Sequence, residues 1–180
     1  MIQQKDIDCT FTDPRDGKVY KTVKIGEQVW LAENLNWEGA GIWYNNSPIF
    51  GNAFGRLYTW AEAMKVAPPG WHLPTNEEWQ KLVDFADGND VAGEKLRAKD
   101  GWEGNGTDDF GFSALPGGYR ERYYDRDGGF SDIGDGGHWW SATERDSEFA
   151  YNWHMYSDDA KVYRHDYYKK GSNGVRLVKD

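Results

Sequence analysis

The sequence predicts an α+β domain in which the helices and an antiparallel sheet are segregated along the chain. Three observations predict this class: alternating β-forming residues near the start, one capped amphipathic helix, and short strand-like runs between Gly- or Asp-rich turns in the second half. A chain of 180 residues fits one domain, spanning 1–180 with 1–17 as an N-terminal extension. A domain of this size buries roughly 70% of its unfolded surface, enough for a core without disulfides.

The composition favours some kinds of core, partner and site and excludes others. Aromatic residues make up 16% of the chain, with 10 Trp and 11 Tyr, while mean hydropathy is −0.87. The core must therefore depend on rings more than on aliphatic layers. A net charge of −9 argues against nucleic acid as a partner, because phosphate neutralisation supplies most of that affinity. The single cysteine, Cys9, excludes an internal disulfide and a cysteine-cluster zinc site.

A membrane span is not expected, because no stretch approaches the ~20 apolar residues that it requires. The opening residues also lack the apolar segment of a signal peptide. We therefore expect no direct membrane insertion by this chain.

The first element predicted is a β-hairpin. Residues 18–26 and 27–35 alternate β-formers with polar residues and meet at Gly26. The Gly- and Asn-rich stretch 39–57 has no clear period and indicates an ordered loop. A short helix is expected over Leu57–Ala67, because apolar residues there keep one helical face and Pro68 ends it.

The clearest helix signal follows. Thr75 and Glu78 have the spacing of a capping box ahead of an apolar run, and Gly88 ends that run. His72 precedes this cap, where we expect it to act as a structural hydrogen bonder. A shorter third helix is predicted over Val91–Lys99.

The second half predicts an antiparallel sheet. Its strand-like runs recur about every 8 to 12 residues, with Gly- or Asp-rich turns between them. The predicted strands are 110–122, 137–145, 148–156, 161–168 and 173–180. Pairing of the last one with the N-terminal hairpin would anchor the polar segment before it on both sides.

Six ordered motifs carry a family resemblance: "GKVYKTVKIGEQVWLAENL", "GRLYTWAEAM", "PPGWHLPTNEEWQKL", "FSALPGGYR", "WWSATE" and "GVRLVKD". Together they resemble the Fibrobacter succinogenes major paralogous domain family from about Lys18 to Asp180. The resemblance implies a C-type-lectin-like fold, similar to that of formylglycine-generating enzymes and retroelement-diversified variable proteins. Such a fold has a short antiparallel sheet, two to three helices and a long loop-rich region. It also implies an extracellular location.

The residues do not predict an enzyme. An oxidase of the formylglycine-generating kind needs paired cysteines, and Ser141 in "WWSATE" lies in no GxSxG elbow, so we expect Trp140 and Ser141 to pack in the core. The histidines form neither HExxH nor HxH; they are His72, His138, His154 and His165. His154 and His165 could share a metal if their strands are neighbours, but solvent-facing contact residues are the favoured interpretation.

A calcium site is a weaker possibility. "DRDGGFSDIGDGG" begins like an EF-hand at Asp125, yet Phe130 replaces the sixth-position Gly and Gly136 the twelfth-position Glu. A looser oxygen site and a plain acidic turn remain the two alternatives for Asp125, Asp127, Asp132 and Asp135. No cofactor is expected.

The candidate binding surface is the aromatic and polar segment Tyr151–Tyr168. On strands, alternate residues share a face, so one face would carry Asn152, His154 and Tyr156 with Tyr163, His165 and Tyr167. The other face would carry Trp153, Met155, Val162 and Arg164 or Asp166. Tyr with Ser, Asn and Asp is typical of antibody paratopes. The predicted ligand-binding residues are Tyr151, Asn152, His154, Tyr156, Ser157, Asp158, Tyr163, His165, Asp166, Tyr167 and Tyr168, supplemented by Tyr119, Tyr123 and Tyr124.

These residues favour a non-enzymatic ligand- or receptor-binding domain, displayed on a bacterial surface or a phage particle. The resemblance adds a possible origin, since Tyr, Asn, Asp, His and Ser are reached when the adenines of AAY codons are randomised by a retroelement. A carbohydrate-binding accessory module of a polysaccharide-degrading bacterium is the alternative. The partner would be a protein receptor or a surface glycan, and a Tyr-rich solvated sheet with ordinary packing is the plainer interpretation.

Overall fold

Two sheets organise the chain in the computed structural model, which describes residues 9–123 and 126–180. The smaller sheet has the strand order β1-β2-β3-β12-β5. Its strands are β1 (Cys9–Thr12), β2 (Val19–Ile25), β3 (Gln28–Leu31), β5 (Trp71–His72) and β12 (Val178–Lys179). The chain therefore begins and ends its described part in the same sheet.

The larger sheet carries the predicted binding segment. The remaining strands are β4 (Tyr58–Thr59), β6 (Gly117–Tyr123), β7 (Arg126–Ile133), β8 (Gly136–Glu144), β9 (Phe149–Tyr156), β10 (Tyr163–Tyr168) and β11 (Ser172–Asn173). Their order is β10-β9-β8-β6-β11-β4, and β7 pairs with β6. β10 is therefore an edge strand, while β9 has a neighbour on each side.

Short helices complete a mixed α+β architecture that is mostly β, which confirms the predicted class. In the described residues they are a 3₁₀ turn (Tyr44–Asn46), α1 (Pro48–Phe54), α2 (Trp60–Ala63), α3 (Asn76–Phe85) and α4 (Ala92–Leu96). None of these helices has the length and apolarity needed to cross a membrane.

The hairpin and the closing strand are confirmed. Residues 19–25 pair with 28–31 around Gly26, whose φ of 60° lies in the left-handed region that glycine tolerates. Val178 pairs with Trp30, so β12 adds to the hairpin as expected. β1 lies in the expected N-terminal extension and pairs with β2. Residues 1–8 lie outside the described part.

α3 forms as its capping signals predict. The Thr75 hydroxyl accepts from the Glu78 backbone N–H, and the Glu78 carboxylate accepts from the Thr75 N–H. Gly88, at φ 92°, donates its N–H to the Val83 carbonyl and closes the helix. His72 bonds to Glu78 Oε1 at 2.8 Å and to Asp180 Oδ1 at 2.7 Å, which confirms its structural role.

Several element boundaries differ from the prediction. The helix expected over 57–67 is reduced to the four-residue α2, because Thr59 pairs in β4 and caps α2. The stretch 39–57, expected as a loop, contains α1, which has Pro48 at its first turn. The third helix covers only 92–96.

Three further differences lie in the second half. Residues 110–116 are not a strand, because Ser113 has φ 51° and its N–H is bonded to Asp108. β7 occupies most of the region for which an acidic turn was one of the two alternatives. The run 173–180 divides between the two sheets as β11 and β12.

The core is built on rings, as the composition predicts. Adjacent residues of β8 point to opposite sides of the sheet. Trp139 joins a cluster around α3 in which Trp79 stacks on Trp153 at 6.0 Å. Trp140, with Ser141 also fully buried beside it, joins a second cluster that includes Tyr58.

Arg176 connects the two sheets, on the short segment between β11 and β12. Its fully buried guanidinium donates to Asn34 Oδ1 and to the carbonyls of Leu31, Phe112 and Ser113. Burial lowers the pKa of Arg176 to about 9, so the side chain stays charged at neutral pH. Four oxygens thus surround a buried positive charge.

Replacing Arg176 tests this connection. Arg176→Met would leave buried acceptors without donors, so we expect the free energy of unfolding to fall by about 3 kcal/mol or more. Arg176→Lys keeps the charge but not the forked geometry and should recover only part of that loss. Urea denaturation measures all variants.

Arg164→Met is the matched control, because Arg164 is exposed on β10 and only lies over the Tyr151 and Trp153 rings. Its loss should stay below about 1 kcal/mol. Equal losses for the two Met variants would contradict the role assigned to Arg176.

Candidate ligand-binding site

The site is positioned by the register of β8, β9 and β10. His154 on β9 is directly opposite His138 on β8 and Tyr163 on β10. Asn152 is likewise flanked by Trp140 and His165. Directly opposed residues project from the same face of a sheet, so the predicted sharing of a face along both strands is confirmed.

Six rings on this face form a continuous group, which we call the histidine–tyrosine cluster: Tyr119, His138, His154, Tyr156, Tyr163 and His165. His154 lies at its centre, stacked on His138 at 5.2 Å and on Tyr163 at 5.4 Å between ring centroids. His165 is 5.0 Å from His154, and Tyr119 joins from β6 at 4.6 Å from His138. The cluster therefore spans four strands.

The outer part of the cluster lines an open depression of about 440 Å³, which we call the β9–β10 depression. Its lining consists of aromatic rings and carboxylates: Asp135, His154, Tyr156, Asp158, Asp159, Tyr163 and His165. Five of these seven belong to the predicted ligand-binding set.

The carboxylates at its rim are held by neutral donors. Ser157 donates its hydroxyl to Asp135 Oδ1 and its N–H to the Asp135 carbonyl. Tyr163 donates its hydroxyl to Asp159 Oδ2, and the Lys161 N–H donates to Asp159 Oδ1. Burial acts to raise the pKa of Asp159, but these bonds, together with the charges of Lys161 and Arg97, hold the pKa below its usual value. Asp159 is therefore ionised at neutral pH.

The turn between β9 and β10 rests on α4. The Gly93 N–H donates to the Ala160 carbonyl at 2.8 Å, and Arg97 donates to the carbonyls of Tyr156 and Asp159. A Cβ at Gly93 would stand 2.2 Å from the Lys161 carbonyl oxygen, so only glycine permits this approach. Backbone contacts thus fix the rim of the depression.

His154 is buried rather than solvent-facing, which corrects the sequence prediction. It is 5% exposed, and Asn152 is 3% exposed, because β8 and β10 flank β9 on both sides. Burial, together with the neighbouring His138 and His165, lowers the pKa of His154 to about 3. The imidazole is neutral at neutral pH, and its Nδ1 has no hydrogen-bond partner among the described residues.

Other predicted residues lie away from the depression. Tyr151 and Asp166 face each other on the opposite side of the sheet, where Asp166 accepts from Arg145. Tyr168 is 7% exposed and contacts the Phe149 ring, so its expected exposure is wrong.

Tyr167 keeps the expected face but packs against the buried Trp140. Ser157 donates its hydroxyl to Asp135, and it is Asp135 that lines the depression. Of the supplementary residues, Tyr119 lies in the cluster, Tyr124 is outside the described residues, and the Tyr123 side chain is not described.

Three residues of the site are absent from the predicted ligand-binding set, namely His138, Asp135 and Asp159. His138 could have been found by aligning the period-2 pattern of β8 with that of β9. Asp135 and Asp159 lie in turns, where no periodic signal shows the direction of a side chain.

Among the described residues, no group of three or more His, Cys, Asp or Glu side chains is arranged to hold a metal ion. His154 and His165 are neighbours, but without a third ligand. Asp132 bonds to His138 Nε2 at 3.1 Å. Asp125 lies outside the described residues, and the Asp127 side chain is not described.

Comparison with known proteins gives one match. The family model described as the Fibrobacter succinogenes major domain matches residues 23–179. Neither the curated proteins nor the solved structures contain a match to the chain.

The buried His154 predicts a pH dependence of stability. Below about pH 6.5 the unfolded chain takes up a proton at this histidine, whereas the native state, with a pKa of about 3, does not. The free energy of unfolding should therefore fall as the pH drops, by about 2 kcal/mol between pH 7 and pH 5 from this group. His154→Gln should remove this part of the dependence of the free energy of unfolding on pH.

His72→Gln is the control of opposite sign. Burial acts to lower the pKa of His72, but the bonds to Glu78 and Asp180 raise it above the usual value. Its contribution is present below the unfolded pKa and is lost as the pH rises through the folded one. With His72→Gln, the free energy of unfolding should therefore fall more steeply as the pH drops. Denaturation curves with the same slope for His154→Gln and the parent chain would contradict a buried neutral imidazole.

Proposed function

The chain belongs to the Fibrobacter succinogenes major domain family, and from this premise we propose that it is a non-enzymatic binding domain whose ligand occupies the β9–β10 depression. The observation that carries the proposal is the meeting of aromatic rings and carboxylates in one concave surface of about 440 Å³. Ligand sites commonly have volumes of about 300–1,000 Å³.

The chemistry of the depression suits recognition. Tyr156 and Tyr163 offer large contact areas with few rotatable bonds, so little entropy is lost when they are covered. The Tyr163 hydroxyl is already bonded to Asp159, and α4 supports the turn beneath. A surface ordered before binding loses less free energy on association.

The same groups are poorly arranged for catalysis. Ser157 donates its hydroxyl to Asp135 rather than to an imidazole, so it lacks the base that activates a serine nucleophile. His154 has its Nδ1 buried and a pKa of about 3, well below the range suited to a general base at neutral pH.

The finer fold assignment belongs to the same proposal. A C-type-lectin-like fold is supported by the closing strand β12 beside β3, by α3 against the core, and by the long loop-rich middle of the chain. Within such a fold, Asp158 and His165 are exposed and could vary without disturbing the core. Diversification by a retroelement and display on a bacterial surface or phage particle are further parts of this proposal.

Carbohydrate binding is the second candidate. Ring faces beside carboxylate acceptors, as at Tyr163 and Asp159, also suit a sugar, which stacks its apolar face and donates its hydroxyls. A module of a polysaccharide-degrading bacterium would show saturable binding to particular glycans.

Binding arrays test the proposal. The labelled domain is screened on a protein array and a glycan array, and each hit is remeasured with the double variant Tyr156→Ala/His165→Ala. We expect at least a tenfold loss of affinity, because truncating central aromatic contacts costs about 1–2 kcal/mol or more. The melting temperature should change little, because His165 is exposed and Tyr156 is partly exposed.

The matched control is Tyr151→Ala/Asp166→Asn, which removes a tyrosine ring and a charge from the opposite face of the same two strands. It should retain the affinity of the parent chain. Ligands that still bind Tyr156→Ala/His165→Ala but no longer bind the control variant would place binding elsewhere and overturn the proposal. Hits confined to glycans would favour the second candidate.

A further inference from the structure

We infer that the β9–β10 depression receives a positively charged side chain, a Lys ammonium or an Arg guanidinium, from a partner protein. This inference rests on the proposed function and names the chemical group that the depression recognises. Three features of the depression carry it: a concentration of carboxylates, ring faces, and an uncharged floor.

The first feature is the concentration of carboxylates. Asp135, Asp158 and Asp159 all line the depression. The donors that hold two of them are neutral, namely the Ser157 hydroxyl for Asp135, and the Tyr163 hydroxyl with a backbone N–H for Asp159. Such donors orient the carboxylates and leave their charges in place.

Two nearby cations, Arg97 and Lys161, lower the pKa of Asp159, and neither of them lines the depression. Arg97 is 4% exposed and directs its guanidinium to the carbonyls of Tyr156 and Asp159. It supports the turn from the side of α4. The protein as a whole carries a net charge of −9, which also favours cationic over anionic ligands.

The second feature is the ring lining. Tyr156, Tyr163 and His165 line the depression together with the carboxylates, and Tyr163 stacks on His154 at 5.4 Å. A cation over the face of an aromatic ring is attracted by the ring quadrupole, with a gain of about 0.5–1 kcal/mol at exposed sites. Rings beside carboxylates therefore suit a cation better than an anion.

The third feature is the floor. His154 is 5% exposed and lines the depression, with an Nδ1 that has no hydrogen-bond partner in the described residues. Its burial holds the pKa at about 3, so the imidazole carries no positive charge at neutral pH. A charged imidazolium here would repel a cation.

The chain itself contains the same arrangement in an occupied form. The Arg15 guanidinium lies 4.1 Å from the centroid of the Trp37 ring and donates to the carboxylate of Asp13. A carboxylate and a ring thus bind one cation together within this molecule. The β9–β10 depression presents three carboxylates and several rings to an incoming group.

Paired probes that differ only in charge test the inference. Nα-acetyl-lysine methylamide is compared with Nα,Nε-diacetyl-lysine methylamide, and the arginine analogue with the citrulline analogue. NMR of the aromatic side chains follows each titration. We expect the cationic probes to shift the Tyr156, Tyr163 and His165 resonances at saturation and to bind at least tenfold more tightly than their neutral partners, less so at high salt.

Charge-removing variants locate the effect. Asp158→Asn removes one exposed charge at the depression, and Glu27→Gln removes one at the exposed β2–β3 turn. The first should weaken the cationic probes about threefold or more, whereas the second should leave their affinity unchanged. Equal effects of the two variants would overturn the inference, since attraction would then come from the net charge alone.

The remaining outcomes separate this inference from the proposed function. Equal binding of the charged and neutral probes at these rings would overturn the inference and support a binding depression of another specificity. No shift at these rings with any probe would also overturn the inference. The proposed function would then still be decided by the array measurements with Tyr156→Ala/His165→Ala.

Discussion

Arg176 holds its buried charge among oxygens from two separate parts of the chain. Asn34 and Leu31 belong to the end of β3 and the turn after it, while Phe112 comes from the irregular stretch before β6. Asn34 Oδ1 also accepts from the indole of Trp139, on β8. Because the residue next to Trp139 is His138, the position of the histidine–tyrosine cluster depends on this shared oxygen. A buried charge can be satisfied only if all these parts are in place at once, so the site and the junction of the two sheets form together.

The candidate site arises where the larger sheet extends past its second core cluster. On one face of β8 and β9, Trp139 and Trp153 pack against α3 along the covered part of the sheet. On the other face, Trp140 is covered by the second cluster, but the row containing His138 and His154 lies beyond it. Stacked rings take the place of a covering helix there and bury His154. The outer rings and the carboxylates around them are then left open to solvent.

Local signals in the sequence predicted most of the architecture. The hairpin at Gly26 and the capping box at Thr75 depend on residues a few positions apart, and both are confirmed. The division of 173–180 between two sheets was missed, because it depends on long-range partners of Arg176. For the site, alternation identified which residues share a face but not that β9 is an interior strand, so the burial of Asn152 and His154 was missed. Asp159 could not be found, since its place depends on a turn held by α4.

A binding surface of the kind we propose needs a support that does not depend on its contact side chains. Here the support is largely backbone: Gly93 donates to the Ala160 carbonyl, and Ser157 donates its N–H to the Asp135 carbonyl. Asp158 and His165 project from this support into solvent without fixing it. Substitutions at such positions change the chemistry of the surface while the turn keeps its shape. His154 is different, since rings on both sides pack against it. The chain thus separates residues that maintain the depression from residues that determine the chemistry of its surface.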